Sequence, residues 1–198
     1  MISDTALNAA LGAYDIEADC IREMKKYFEK EAFSEAVELL KNAERIGSTG
    51  CGHSGIACKH FAHLMCCAEK PAKFISPAEA VHGGTGYLKK DDVMLFASRG
   101  GKTAELMPIL DICHKKGVKV ITVTENTDSP LAKGADVVLK LYVNRETDKY
   151  NMQGTTSTTA QIMIFHALQA ALIEETGYTV DQFALIHPGG AVGARLNK

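Results

Sequence analysis

The succession of apolar runs predicts an α/β fold: a three-layer αβα sandwich around a five-stranded parallel sheet, preceded by a helical extension. Three observations predict it. Five short β-prone runs are apolar for much of their length, as suits strands covered on both faces. Helix-length segments separate most of them, which is the pattern of right-handed βαβ crossovers. Glycine- and hydroxyl-rich turns follow the strands, where open parallel sheets hold their ligands.

In chain order, Leu7 to Phe28 carries Leu7, Leu11, Tyr14, Ile16, Ile21, Met24 and Phe28 at helical spacing, with Ser3 or Asp4 as its cap. A second helix, from about Ser34 to Asn42, has Ala36, Val37, Leu39 and Leu40 as its apolar stripe. Strands are expected at Arg45–Gly50, Ala72–Ser76, Val93–Ser98, Val118–Thr124 and Val137–Tyr142. Between them lie helices at Ile56–Ala68 and Thr103–Lys116 and a helical turn near Pro130–Lys133, and a last long helix spans about Thr158 to Glu175. No repeat or Pro/Ser-rich linker interrupts the order. Residues 1–198 therefore read as one domain, with a helical arm over about 1–43 and the sandwich over about 44–198.

The composition narrows the function. Lys+Arg number 22 against 24 Asp+Glu, a net charge of −2, which argues against binding nucleic acid through a blanket of positive charge. Trp is absent and 7% of residues are aromatic, so base stacking is an unpromising trade. No basic start followed by an apolar run marks a secretory signal, and no run of about 18 apolar residues marks a membrane span. The expectation is a cytoplasmic protein without membrane or nucleic-acid partners. Six cysteines, none in a C-x-x-C pair, read there as small buried hydrophobes.

Three turns carry the chemistry. After the first strand, Gly50-Cys51-Gly52-His53-Ser54-Gly55 has the spacing of a dinucleotide fingerprint. That motif asks for an acid about 20 residues on to hold a ribose hydroxyl. The next strand ends Lys73-Phe74-Ile75-Ser76-Pro77 without one, so a nicotinamide cofactor is not expected. Two readings stay open for the turn: an anion site built from Gly52, His53 and Ser54 at a helix start, or a tight turn that needs glycine for backbone reasons alone. After the third strand, Ser98-Arg99-Gly100-Gly101-Lys102-Thr103 ends like a P-loop, but Phe96 stands where that motif needs glycine. A shorter phosphate cradle remains, with Ser98 and Thr103 as hydroxyl donors, Gly100 and Gly101 freeing the backbone, and Lys102 adding charge. Before the last helix, Thr155-Thr156-Ser157-Thr158-Thr159 holds more hydroxyls than capping requires. Thr156, Ser157, Thr158 and Thr159 suit the oxygens of a phosphate or sugar, with a capping cluster as the alternative.

His82 and His187 stand beside glycine pairs, where core burial accounts poorly for them, and a pKa near neutrality suits proton transfer. His60, His63 and His166 fall inside helical patterns and read as structural. Cys58, His63, Cys66 and Cys67 share a helix, but no second ligand pair is spaced to complete a tetrahedral site, so no metal is expected.

Together the glycine turn, the Ser/Gly/Thr loop and the hydroxyl run resemble the sugar isomerase (SIS) domain. Three segments are more particular: Pro77 to Gly83, Thr155 to Ala160, and Phe183-Ala184-Leu185-Ile186-His187-Pro188-Gly189-Gly190-Ala191-Val192-Gly193. They resemble the arabinose-5-phosphate isomerases, from about residue 10 to the end of the chain. Many members carry paired CBS domains after this region, and the chain resembles the form without them. The resemblance implies an aldose–ketose isomerisation through a cis-enediol(ate) with no formal need of a cofactor. It implies His187 as the leading acid/base, with His82 beside the reacting carbons. It implies phosphate loops on Ser98, Thr103 and Thr156–Thr159, and a homotetramer whose sites are shared between chains.

Four positions depart from that family: His53 stands where Lys is usual, Gly84 where Asp is usual, Gly100 where a second Ser is usual, and Lys102 where Glu is usual. The charge pattern is thus altered while affinity for an anion is kept, and Glu79 and Glu105 remain as carboxylates able to act as bases. The expectation is a sugar-phosphate isomerase of altered specificity. The competing class is a non-catalytic sugar-phosphate sensor.

Overall fold

The computed structural model describes residues 1–197. Helix α1 (Asp4–Met24) opens on the expected cap, the Ser3 hydroxyl accepting from the Ala6 N–H at 3.2 Å. It ends earlier than its apolar stripe suggests, in a 3-10 turn over Lys25–Tyr27. Helix α2 (Lys30–Asn42) buries Ala36, Val37 and Leu40. Then follow β1 (Ile46–Thr49), α3 (Gly52–Cys66), β2 (Ala72–Phe74), the short α4 (Pro77–Ala80), β3 (Val93–Ala97), α5 (Met107–Lys116), β4 (Lys119–Thr124), α6 (Pro130–Lys133) and β5 (Val137–Lys140). The chain closes with α7 (Thr156–Thr176), α8 (Val180–Ile186) and α9 (Gly190–Leu196).

The five strands form one all-parallel sheet in the order β2-β1-β3-β4-β5. Side chains alternate across it and fill two cores. Val93, Leu95 and Ala97 of β3 point with Ile46, Ile121, Val123 and Leu139 into a core closed by Cys20, Leu40, Phe61, Met65, Phe165 and Leu168 from α1, α2, α3 and α7. Met94 and Phe96 point the other way, with Val120, onto Ile75, Leu88, Ile109 and Leu110. A side chain of this size contributes roughly 1.5–3 kcal/mol when fully buried, so near-continuous apolar strands are what a sheet covered on both sides requires.

Differences from the sequence expectation are local. The segment predicted as helix from Thr103 starts as a 3-10 turn at Ala104–Leu106, and the α-helix proper begins where proline sits in its first turn. Helix α7 starts two residues before the expected Thr158. Helices α8 and α9 have no counterpart in the sequence expectation, because seven residues each are too few for an apolar period to register.

Candidate active site

The strand order places the site. From β1 the chain passes to β2 on one side, and then crosses to β3 on the other, so the connections diverge between β1 and β3. A crevice opens at such a switch point, beyond the carboxyl ends of the strands. The two glycine turns flank it.

On one side β1 runs into the Gly50–Gly55 turn and α3 begins at Gly52. A Cβ on Gly55 would stand 2.6 Å from the Gly50 carbonyl oxygen, so the first motif meets a packing demand of its own whatever it binds. Ser54 Oγ accepts from Gln161 Nε2 of α7 at 3.0 Å. The Cys51 thiol is held above its usual pKa by burial and then by the charge of Glu105.

On the other side, Ser98 Oγ and Thr103 Oγ1 are 2.9 Å apart, and the Gly101 N–H donates to Ser98 Oγ at 3.1 Å. Gly101 has φ +64°, and a Cβ there would lie 2.0 Å from Ser129 Oγ, so only glycine closes this loop. Among the described residues Lys102 has no hydrogen-bond or ion-pair partner; it is exposed beside the loop.

The hydroxyl run caps the third wall. Thr156 and Ser157 are buried at the start of the 21-residue α7, whose N-terminus carries partial positive charge. Thr159 instead donates to Glu17 of α1 at 3.1 Å, and Thr158 donates back to the Gly154 carbonyl. His53 packs on Gly154, where a Cβ would come within 3.2 Å of the imidazole Cγ.

At the centre of these contacts is a residue that motif reading missed. Glu146 is 2% exposed. Its Oε1 accepts from Arg99 Nη1 at 2.7 Å, and its Oε2 accepts from the Ser157 N–H at 3.1 Å and Thr155 Oγ1 at 3.3 Å. Arg99 also donates from Nε to Glu125 at 2.8 Å. Burial opposes the Arg99 charge, but the carboxylates of Glu125 and Glu146 prevail and hold its pKa above the ordinary value. The Arg99–Glu146 pair, the Ser54–Gln161 bond and the His53–Gly154 contact thus tie the three loops into one cleft. Three polar atoms of buried residues there lack a hydrogen-bond partner among the described residues: Thr49 Oγ1, Thr156 Oγ1 and Gln161 Oε1. Such atoms cost about 1–3 kcal/mol each when left unpaired.

Glu79 and His82 reach the same sheet edge through the segment after β2. Both are exposed, the Glu79 N–H donating to Ser76 Oγ at 3.3 Å and the His82 N–H to the Glu79 carbonyl at 3.1 Å. His187 is not brought to them within one chain. It follows α8, which comes after the far end of α7, and 21 helical residues span about 30 Å. There Gln182 of α8 donates to Glu69, just past the end of α3, at 3.1 Å. The His187 ring lies against Phe183 with centroids 5.0 Å apart, and its Nδ1 is buried without a partner among the described residues. Around it Val180, Leu185, Ile186 and Val192 are exposed apolar side chains.

The fold is a three-layer α/β sandwich with its loops gathered at one sheet edge, and the family model for the SIS domain matches residues 39–171: the chain belongs to the SIS-domain family. Arabinose 5-phosphate isomerase KdsD of Pseudomonas aeruginosa is 41% identical over 165 residues, 83% of this chain and 51% of that protein. The chain spans a little over half the length of the curated relatives it matches. A solved structure from Listeria monocytogenes, provisionally assigned as a sugar-phosphate isomerase, superposes with a TM-score of 0.92 at 38% identity, covering 96% of this chain and all of that one. A protein of Escherichia coli CFT073, solved in complex with arabinose 5-phosphate, gives a TM-score of 0.87 at 28% identity, over 94% of this chain and 100% of its own.

Proposed function

We propose that this protein is an aldose–ketose isomerase of a sugar phosphate, similar to the arabinose-5-phosphate isomerases but of altered specificity. The observation that carries this reading is the cleft at the β1/β3 switch point, where the Ser98–Thr103 loop, the Gly50–Gly55 turn and the start of α7 are tied together by the Arg99–Glu146 and Ser54–Gln161 bonds. The phosphate is held by Ser98, Gly100, Gly101, Lys102, Thr103 and the start of the Thr156–Thr159 run, where Thr156 and Ser157 are the hydroxyls not already donating to Gly154 or Glu17, with Gly52, His53 and Ser54 opposite. Short donors and helix N-termini supply the positive potential locally, so a net charge of −2 is no obstacle.

The reaction moves protons only. A base takes the proton from the carbon beside the carbonyl, giving a cis-enediol(ate). That proton returns to the former carbonyl carbon while the oxygen-bound proton moves to the other oxygen. His187 is the acid/base, and His82 and Glu79 face the reacting carbons. Since His187 stands apart from the cleft of its own chain, it serves a neighbouring chain's cleft in a homotetramer; the exposed apolar side chains around it support that reading. The protein works in the cytoplasm.

Deuterium wash-in tests the proposal. Incubated with ribulose 5-phosphate or a hexulose phosphate in deuterated water, the protein is expected to place label on the carbon next to the carbonyl. No exchange over a panel of pentose and hexose phosphates overturns it. A sugar phosphate that raises the melting temperature without any exchange favours a sensor instead.

A further inference from the structure

Two histidines that read as structural in the sequence meet across the seam between α3 and α7. His60 and His166 are separated by 106 positions, yet their Nε2 atoms are 3.0 Å apart. The rings stand nearly perpendicular, with centroids 5.3 Å apart and planes at 78°. His60 is half-buried and His166 is exposed, so the pair opens to solvent. Counting along the helices from Gly52 and Thr156, both lie about 12–15 Å from the cleft.

We propose that His60 and His166 form a binding site for a divalent transition-metal ion of the copper or nickel kind, which staples α3 to α7. An ion about 2.0–2.1 Å from each of two nitrogens 3.0 Å apart sees them at roughly 90°. That is the cis angle of square-planar or octahedral coordination, the geometry of Cu(II) and Ni(II) with nitrogen and oxygen ligands, and is narrower than a tetrahedral ion prefers.

The backbone beneath is already fixed. Phe61 and Phe165, the neighbours of the two histidines, are fully buried against each other with centroids 5.0 Å apart. The Ser54–Gln161 bond on one side and a Gln169 Nε2 bond to the Leu64 carbonyl, 2.9 Å, on the other hold the two helices in register. A site on rigid elements loses little entropy on binding.

The pair is free to bind. Lys59 is drawn away from the pair, over the Phe74 ring at 5.3 Å. Among the described residues no third His, Cys, Asp or Glu converges to make a three-ligand group, which leaves the other coordination positions to water. A second pair one turn on, His63 Nε2 and Cys67 Sγ at 3.6 Å, is the natural control.

The experiment titrates tag-free protein separately with Cu2+, Ni2+ and Zn2+ by calorimetry and records the EPR spectrum of the Cu2+ form. One saturable Cu2+ or Ni2+ ion per chain is expected, with an axial Cu(II) signal split by two nitrogens and a raised melting temperature. His60→Ala and His166→Ala, each confirmed folded by circular dichroism, are both expected to abolish that binding, while His63→Ala retains it. The proposal is overturned by no saturable binding, by binding that survives in both single variants, or by loss of binding in His63→Ala alone.

Discussion

At the residue scale the loops that hold the cleft are tightly constrained. Replacing Gly101 by alanine forces a side chain into a left-handed backbone position and onto Ser129. A loss of about 1–3 kcal/mol is expected in urea unfolding, with the Ser98–Thr103 loop displaced. Arg99→Ala removes the cation beside the buried Glu146 and leaves that carboxylate only its Ser157 and Thr155 donors; about 1–3 kcal/mol is expected, read by the same measurement. The hydroxyl donors behave differently. Ser98→Ala combined with Thr103→Val is expected to weaken sugar-phosphate binding before it affects folding, whereas His187→Ala is expected to abolish turnover and spare affinity, a split that isothermal titration alongside kinetics resolves. Glycines and hydroxyls clustered after strands are legible in the sequence because few other roles gather those residue types. Arg99 and Glu146 are not, since a charge in a loop reads as solvated until its partner, 47 positions away, is known.

At the scale of elements, the strands and long helices are legible in the sequence and the connections are not. The segment from Val143 to Thr155, which carries Glu146 into the cleft, has no periodic pattern at all. It is organised by Asp148, whose carboxylate accepts from the backbone N–H groups of Gln153 at 2.8 Å, Tyr150 at 2.9 Å and Met152 at 3.0 Å. Those donors, Gln153 first, hold its pKa below the usual carboxylate value. The stabilisation is therefore full above an unfolded pKa of about 3.9 and is lost as pH falls from there through the lower folded value. Amide exchange at Gln153 and Met152 is expected to lose protection across that acid window, and Asp148→Ala is expected to remove protection already at neutral pH. A carboxylate that accepts from three backbone donors within five residues is a local device, but its sequence, Asp-Lys-Tyr-Asn-Met-Gln, matches no strong turn signal.

At the scale of the whole molecule, His187, the proposed acid/base, stands apart from the cleft of its own chain. Leu185 is 78% exposed on α8 beside His187, too apolar for a solvated face. Leu185→Asp is expected to lower the oligomeric state in sedimentation and to lower activity with it, while circular dichroism stays unchanged. Mixing two impaired variants, His187→Ala and the Ser98→Ala, Thr103→Val pair, at a substrate level too low to saturate the latter, is expected to give more activity than the two apart, since some mixed clefts then receive an intact loop and an intact imidazole. No recovery would show that each chain uses its own His187.

Local patterning is enough to specify the layered α/β class, the sheet of five strands and the glycine- and hydroxyl-rich turns that follow them. These follow from apolar periodicity, from glycine and from hydroxyl clustering, each confined to a short stretch of chain. Packing across the chain settles the rest: the strand order that opens the crevice between β1 and β3, the Arg99–Glu146 pair that ties its loops, the meeting of His60 with His166, and the distance of His187 from the cleft. Each of those depends on residues tens of positions apart being carried together, and no local pattern encodes that distance.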